Sequence, residues 1–142
     1  MIDYQTDYYG WTVEQAELLK ARDWQEIDIE NLIEEVESMG RSEKRALESR
    51  LIVLITHLLK WQYQPVRRST SWELTIKEQR LRISKILRDN PSLKRELDVC
   101  FLDIYPFAVI QAVKETGIEE KNFPIMCEWT LEHVLSVRPS ET

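Results

Sequence analysis

The stretch LITHLLKWQYQP, Leu54 to Pro65, decides the fold of this chain, because it belongs to its most continuously apolar region. Over residues 51–59 nearly every side chain is apolar, which indicates a helix that packs against neighbours on several sides. His57, Lys60 and Trp61 interrupt this pattern. A polar group in so apolar a helix needs a partner or solvent, so these three side chains are the first candidates for a site.

The apolar region predicts a central buried helix over residues 43–64. Ser42 is its expected N-cap, and Pro65 is its expected stop, because the residue before a proline disfavours helical backbone. A separate helix is expected just upstream, from Ile29 to Met39, with Gly40 ending it. The buried stripe of this upstream helix is predicted to be Ile29, Leu32, Ile33 and Val36.

Apolar periodicity and helix-end signals predict the remaining helices. A capping box at Thr70 and Glu73 marks the start of one of them, and a proline at 106 is expected to kink another. The predicted fold is an all-α, single-domain bundle of five to six helices. The domain is expected to span residues 1–142, with a core over about 4–136 and a loose tail over 137–142. The further helices are expected at about 7–22, 71–89, 91–115 and 128–136.

The overall composition favours a soluble helical protein of one domain. The 142 residues include 3 glycines and 5 prolines, too few turn formers for many short strands. Cys100 and Cys127 have neither metal-site nor paired spacing, which is typical of a reducing cytoplasm. The N-terminal segment lacks the features of a signal peptide, and no apolar run is long enough to span a membrane. We therefore expect a cytoplasmic protein that does not enter membranes.

The net charge of −6 is unevenly distributed. Residues 60–95 carry 10 basic and 3 acidic side chains, a net charge of +7, between two acidic flanks. Trp61, Tyr63 and Trp72 occur among these bases, so the segment could bind nucleic acid, with Arg67 and Arg68 as anion-binding candidates. The alternative, which we favour, is a solvated basic face with core tryptophans.

A polar stripe runs along the predicted central helix. At 100° per residue, Arg50, His57 and Trp61 fall on one arc, and Lys60 lies beside it. Buried charges need opposite charges, and the preceding helix offers two glutamates. The sequence therefore predicts a buried polar network that fixes helix register, comprising Glu34, Glu35, Arg50, His57, Lys60 and Trp61.

Arg50 and His57 also admit a catalytic interpretation. They form an Arg-x6-His pattern, with the side chains about 10 Å apart along the helix axis. This resembles the motif of the metal-independent HEPN ribonucleases, small helical bundles in which the histidine acts as general acid/base and the arginine stabilises phosphate charge. Histidine and arginine suit those roles. The glutamates and His57 lack the Glu-x-x-His repeats of a carboxylate-bridged metal site, so no metal or cofactor is predicted.

The predicted fifth helix is apolar on two sides. One side consists of Leu93, Leu97, Cys100, Ile104 and Phe107. A second apolar side indicates burial on both sides or a surface for a homodimer. The residues of this second side are Val99, Leu102, Val109, Ile110 and Val113.

The block DIENLIEEVESMGRSEKRALESRLIVLITHLLKWQYQPVRRSTSWELTIKEQRLRI closely resembles the bacterial family catalogued as domain of unknown function 29 (DUF29), common in cyanobacteria. The flanking motifs YYGWTVEQAELLKAR, NPSLKREL, ETG, NFP and EHVLS agree, so the resemblance covers roughly residues 4–136. It implies an α-helical bundle in a bacterial cytoplasm and no established activity. The sequence favours a non-enzymatic interaction module, with an RNA-binding protein or ribonuclease using Arg50, His57 and the Arg67–Arg68 loop as the alternative.

Overall fold

The computed structural model describes residues 1–138, and within them the chain forms α-helices, two short 3-10 segments and no β-strand. The all-α prediction is confirmed. Within the same residues, no helix is both long enough and apolar enough to cross a membrane. Residues 139–142 of the predicted loose tail lie outside the described part of the chain. The helices are α1 (Tyr8–Lys20), α2 (Ile29–Tyr63), α3 (Thr70–Asp89), α4 (Leu93–Thr116) and α5 (Leu131–Ser136).

The predicted break at Gly40 is wrong, because α2 runs without interruption for 35 residues. Gly40 and Ser42 both lie inside it. A glycine disfavours the helix interior by only about 1 kcal/mol relative to alanine. The glutamate, methionine, arginine and lysine residues around it are among the best helix formers, so no second unfavourable residue adds to this cost.

Replacing Gly40 with alanine should therefore stabilise the protein. A Cβ atom at this position would meet no atom within 4 Å. The free energy of unfolding should rise by about 1 kcal/mol, measured by urea denaturation, because the unfolded chain loses conformational freedom. Gly117→Ala is the matched control and should destabilise, since Gly117 has a left-handed φ of 77°. A loss of stability in Gly40→Ala would instead indicate a turn at residue 40.

The chain divides into two compact units, residues 1–42 and residues 43 onward. In the first unit, Trp11 and Gln15 of α1 are buried. The Trp11 Nε1–H donates to Asp28 Oδ2 (2.9 Å), and the Asp28 backbone N–H donates to Gln15 Oε1 (2.7 Å). Asp28 also accepts from the Asn31 side chain at 2.8 Å. These bonds fix α1 to the start of α2.

The predicted buried stripe of the upstream helix is also wrong. Ile29, Ile33 and Val36 are exposed, and Leu32 is half-buried. The reason is that α1 contacts a different side of α2: the Tyr4 and Tyr8 hydroxyls both donate to the Glu35 carboxylate. In the first unit α1 is the only other helix, and it does not cover the apolar stripe.

The second unit is built around the part of α2 that follows Glu43, which confirms the predicted central helix. Six of its leucine and isoleucine side chains are at most 2% exposed. They join one hydrophobic cluster with Ile76 of α3, Ile104 and Ala108 of α4, and Val134 of α5. A helix covered by three others has to be apolar nearly all round, as its sequence is. The six are Leu47, Leu51, Leu54, Ile55, Leu58 and Leu59.

The ends of the other helices agree with the predictions to within a few residues. The N-cap of α3 is Ser69, whose Oγ accepts from the Trp72 N–H at 3.2 Å, one residue before the predicted Thr70. Gly117 ends α4 in a left-handed conformation, one residue after its last helical residue Thr116, and Pro106 lies inside that helix. The last helix starts three residues later than predicted, after its N-cap Thr130.

Candidate functional site

The centre of the candidate site is an ion pair between α2 and α4. Lys60 is only 7% exposed, and its Nζ lies 2.9 Å from Oε1 of Glu115. The same ammonium lies 4.8 Å from the centre of the Trp72 ring on α3. The second oxygen of Glu115 accepts from Gln111 at 2.7 Å. A buried ammonium held by a carboxylate and an aromatic face is a positive charge fixed in one place.

His57 lies one turn before Lys60 on the same helix and is half-buried. Its Nδ1 is 2.9 Å from the Val53 carbonyl oxygen, which can only accept, so the ring proton is on Nδ1. Burial lowers the pKa of His57 below 6.5. The Val53 hydrogen bond offsets part of this effect, and the smaller effects of Lys60, which lowers the pKa, and Glu115, which raises it, oppose each other. The imidazole is therefore neutral at pH 7.

Glu115 responds to the same surroundings in the opposite sense. Burial raises the pKa of its carboxyl, but hydrogen bonds from Lys60 and Gln111 and the charge of Lys60 outweigh this effect. The net result is a pKa below 4.5. At neutral pH the cluster thus holds a carboxylate, an ammonium and a neutral imidazole.

The predicted network is assembled differently from the expectation. Glu34 and Glu35 belong to the first unit, where Glu34 pairs with Arg41 at 2.9 Å and Glu35 accepts from two tyrosines. Their predicted pairing with Arg50 and His57 depended on a turn at Gly40, and α2 has no turn there. The structure pairs Lys60 with Glu115, a residue that the sequence analysis did not select, whereas the His57 ring bonds to the Val53 carbonyl oxygen.

Trp61 and the basic loop form a second arrangement at the end of α2. Trp61 is buried, and the Arg68 guanidinium lies 4.9 Å from the centre of its ring. Arg68 Nε also donates to the Trp61 carbonyl oxygen at 2.8 Å. These two contacts hold Arg68 against the protein, although Arg68 and Arg67 are both exposed. Anion binding by this pair stays a prediction.

The basic residues of α3 are mostly occupied by neighbours. Arg82 pairs with Glu78, and Lys85 pairs with Asp89, at 2.9 and 2.8 Å. Arg80 Nε donates to the Val134 carbonyl oxygen at 3.0 Å, joining α3 to α5. Nucleic-acid binding by this segment stays a prediction, as does the ribonuclease hypothesis for Arg50 and His57. Arg50 is half-buried, two turns before His57 on α2.

The predicted dimer face on α4 is only partly exposed. Val99, Leu102 and Ile110 are 67%, 60% and 46% exposed, whereas Val109 is buried in the core. Val113 is partly buried.

Phe107, predicted to face inward, is exposed. Ala108 is fully buried and marks the middle of the inward side. Phe107 precedes it by one residue and is therefore turned about 100° away.

A groove lies beside this face. It is lined by Pro106 and Val109 of α4 and by the loop 119–125, and it has a volume of about 710 Å³. The side chains of Ile125 and Met126, where the loop continues, are exposed. Sequence periodicity could find the α4 residues, but the loop that extends the surface has no periodic signal.

Comparison with known proteins gives one match. No curated protein and no solved structure matches the chain. The sequence model of the family described as "Domain of unknown function DUF29" matches residues 4–138, nearly the whole chain and all the helices described above. The resemblance seen in the sequence is thereby confirmed, and the chain belongs to the DUF29 family.

Proposed function

We propose that this chain is a non-enzymatic interaction module that forms a homodimer through α4. The observation that carries the proposal is the exposed apolar stripe formed by Val99, Leu102, Pro106 and Ile110, continued by the partly buried Val113. Large apolar side chains in one contiguous exposed patch are typical of an interaction surface.

The spacing of the stripe supports a second copy as the occupant. Relative to Pro106, the other members lie at −7, −4, +4 and +7, so the pattern is the same in both chain directions. A two-fold contact requires a surface that is complementary to itself. Two antiparallel α4 helices centred on Pro106 place Leu102 of one copy level with Ile110 of the other, and Val99 level with Val113.

Two features of the surroundings favour the same contact. The neighbouring groove and the exposed Ile125 widen the apolar surface beyond one helix, as a stable interface of about 800 Å² per partner requires. Pro106 lacks an N–H group, so the Leu102 carbonyl oxygen lacks its usual donor four residues later and can accept from a group of the second copy. We place this module in the cytoplasm; support comes from its two free cysteines.

The experiment is a measurement of mass in solution by analytical ultracentrifugation. We expect the full chain to sediment at twice its 17.0 kDa mass. The double variant Leu102→Asp/Ile110→Asp should dissociate to the monomer with unchanged helical content, because a carboxylate in a dry interface is strongly unfavourable.

The matched control is Leu81→Asp, at an exposed position on α3. It introduces an aspartate at a position outside the stripe and should leave the dimer intact. A wild-type mass of 17.0 kDa that does not rise over the range of about 1–100 µM would overturn the proposal. Equal dissociation of the Leu81 variant would place the interface elsewhere.

A further inference from the structure

The first unit carries an apolar groove that the proposed dimer does not use. It is lined by Leu19 of α1, by Ile27 of the connecting loop and by one side of α2. Its volume is about 480 Å³, and almost all of its surface is aliphatic. The groove residues of α2 are Ile29, Leu32, Ile33, Val36 and Glu37.

The apolar side chains of the groove are exposed to solvent in the single chain. Ile29, Ile33 and Val36 are 56%, 51% and 62% exposed, and Met39 continues the stripe at 62%. From Ile29 to Met39 the stripe extends about 15 Å along the helix axis. This length and spacing match the apolar face of about three turns of another helix.

Contacts behind the groove hold its two walls in place. Tyr8 of α1 and Tyr4 before it donate to Glu35 of α2, and Trp11 of α1 donates to Asp28, the residue before α2. These bonds fasten α1 to α2 through residues that do not line the groove. The rings of Tyr4 and Trp11 also pack edge to face, 4.6 Å between centres. A groove that is already formed loses little conformational entropy on binding.

Charge identifies the class of occupant. Residues 1–42 contain eleven acidic and three basic side chains, a net charge of −8. One of the three bases, Arg41, is already paired with Glu34 and lies near Glu37. A surface that is apolar at its floor and acidic around it is complementary to a helix with an apolar face and a basic face. Two copies of this unit would repel each other.

We propose that the groove between α1 and α2 binds a basic amphipathic helix of a partner protein. The floor contacts the apolar face of that helix, and the surrounding carboxylates attract its lysines or arginines. This binding site is independent of the α4 stripe, so the chain can dimerise through one surface and hold a partner through the other.

The experiment uses the full chain and a fluorescently labelled designed helical peptide as the probe. The peptide has leucines at positions i, i+3, i+4 and i+7 and lysines elsewhere, and binding is measured by anisotropy. We expect saturable binding. A peptide of the same pattern with glutamate in place of lysine should not bind.

The decisive variants are Ile33→Asp/Val36→Asp in the groove and, as the matched control, Leu74→Asp/Leu81→Asp at exposed positions of α3 outside both proposed surfaces. Both add two negative charges, so attraction for the lysine peptide through net charge alone rises equally in both. If the peptide binds in the groove, the affinity of the groove variant for the lysine peptide should fall at least about tenfold, and that of the control variant should not fall. If circular dichroism shows that the double groove variant is misfolded, the milder Val36→Ser replaces it. We expect severalfold weaker binding of the lysine peptide by this variant.

Three results would overturn the proposal. The two double variants could bind the lysine peptide equally, which is the behaviour of a non-specific electrostatic complex. The glutamate peptide could bind as well as the lysine peptide. The groove variant could change the sedimentation mass of the chain itself, in which case the occupant is a second copy.

Discussion

Truncating Leu51 to alanine is expected to lower the free energy of unfolding by about 3 kcal/mol. Leu51 is fully buried in the middle of α2, where helices from the rest of the second unit surround it. The variant loses the transfer free energy of the removed carbons and leaves a cavity that a packed core fills only in part. Urea denaturation followed by circular dichroism at 222 nm measures the loss.

Ile33→Ala is the matched control, because it removes a similar number of carbons from the same helix. Ile33 is 51% exposed, so the expected loss is about 0.5 kcal/mol. A much larger decrease in the free energy of unfolding for Leu51→Ala than for Ile33→Ala would show that the core lies along the later part of α2. Equal losses would mean that the stripe of the first unit is covered in solution, which would also remove the basis for a free groove there.

This contrast also explains which parts of the fold the sequence predicts well. Around Leu51 the helix is apolar on every side, so it is buried on whichever side a neighbouring helix packs. The burial of this central segment is therefore predicted correctly. Around Ile33 only one side is apolar, and periodicity identifies that side without saying whether another element covers it. In the structure a tyrosine–carboxylate contact at Glu35, which has no periodic signal, decides where α1 packs.

The sequence selects Lys60 of the candidate site but not its partner. His57, Lys60 and Trp61 stand out as polar or aromatic side chains in an apolar helix, and the structure places Lys60 in a buried ion pair. Its partner Glu115 is 55 residues away in the chain, and nothing local distinguishes it from the other acids. The prediction chose nearer glutamates because it assumed a turn at Gly40, a residue whose helix-breaking tendency amounts to only about 1 kcal/mol.

Replacing Glu115 with alanine is expected to lower the free energy of unfolding by about 2 kcal/mol at pH 7. The variant leaves the Lys60 ammonium buried without a counter-charge, which costs more than the pair itself contributes. We place the loss below the usual range for a fully buried pair, because a third of the Glu115 side chain is exposed and water can enter the gap. Chemical denaturation of the variant and the wild type measures it.

The pH dependence of this difference follows from the lowered pKa of Glu115. The pKa of Glu115 is lower in the folded protein than its value of 4.5 in the unfolded chain, so folding favours the carboxylate. The resulting stabilisation is fully present above pH 4.5. It is lost as the pH falls through the lower pKa of the folded state. The difference between the wild type and Glu115→Ala should therefore shrink when both are unfolded well below pH 4.5, and a constant difference would assign the loss to packing.

Lys60→Met separates the charge from the space that it fills. Methionine has a similar length, keeps the contact with Trp72 and removes the buried ammonium, while Glu115, a third exposed, keeps its hydrogen bond from Gln111. The free energy of unfolding should fall less in Lys60→Met than in Glu115→Ala. In the double variant the ammonium that needed a partner is gone, so the two losses should not add: the double variant should be more stable than Glu115→Ala alone. Additive losses would show that Lys60 and Glu115 contribute independently and that their contact has no coupling energy.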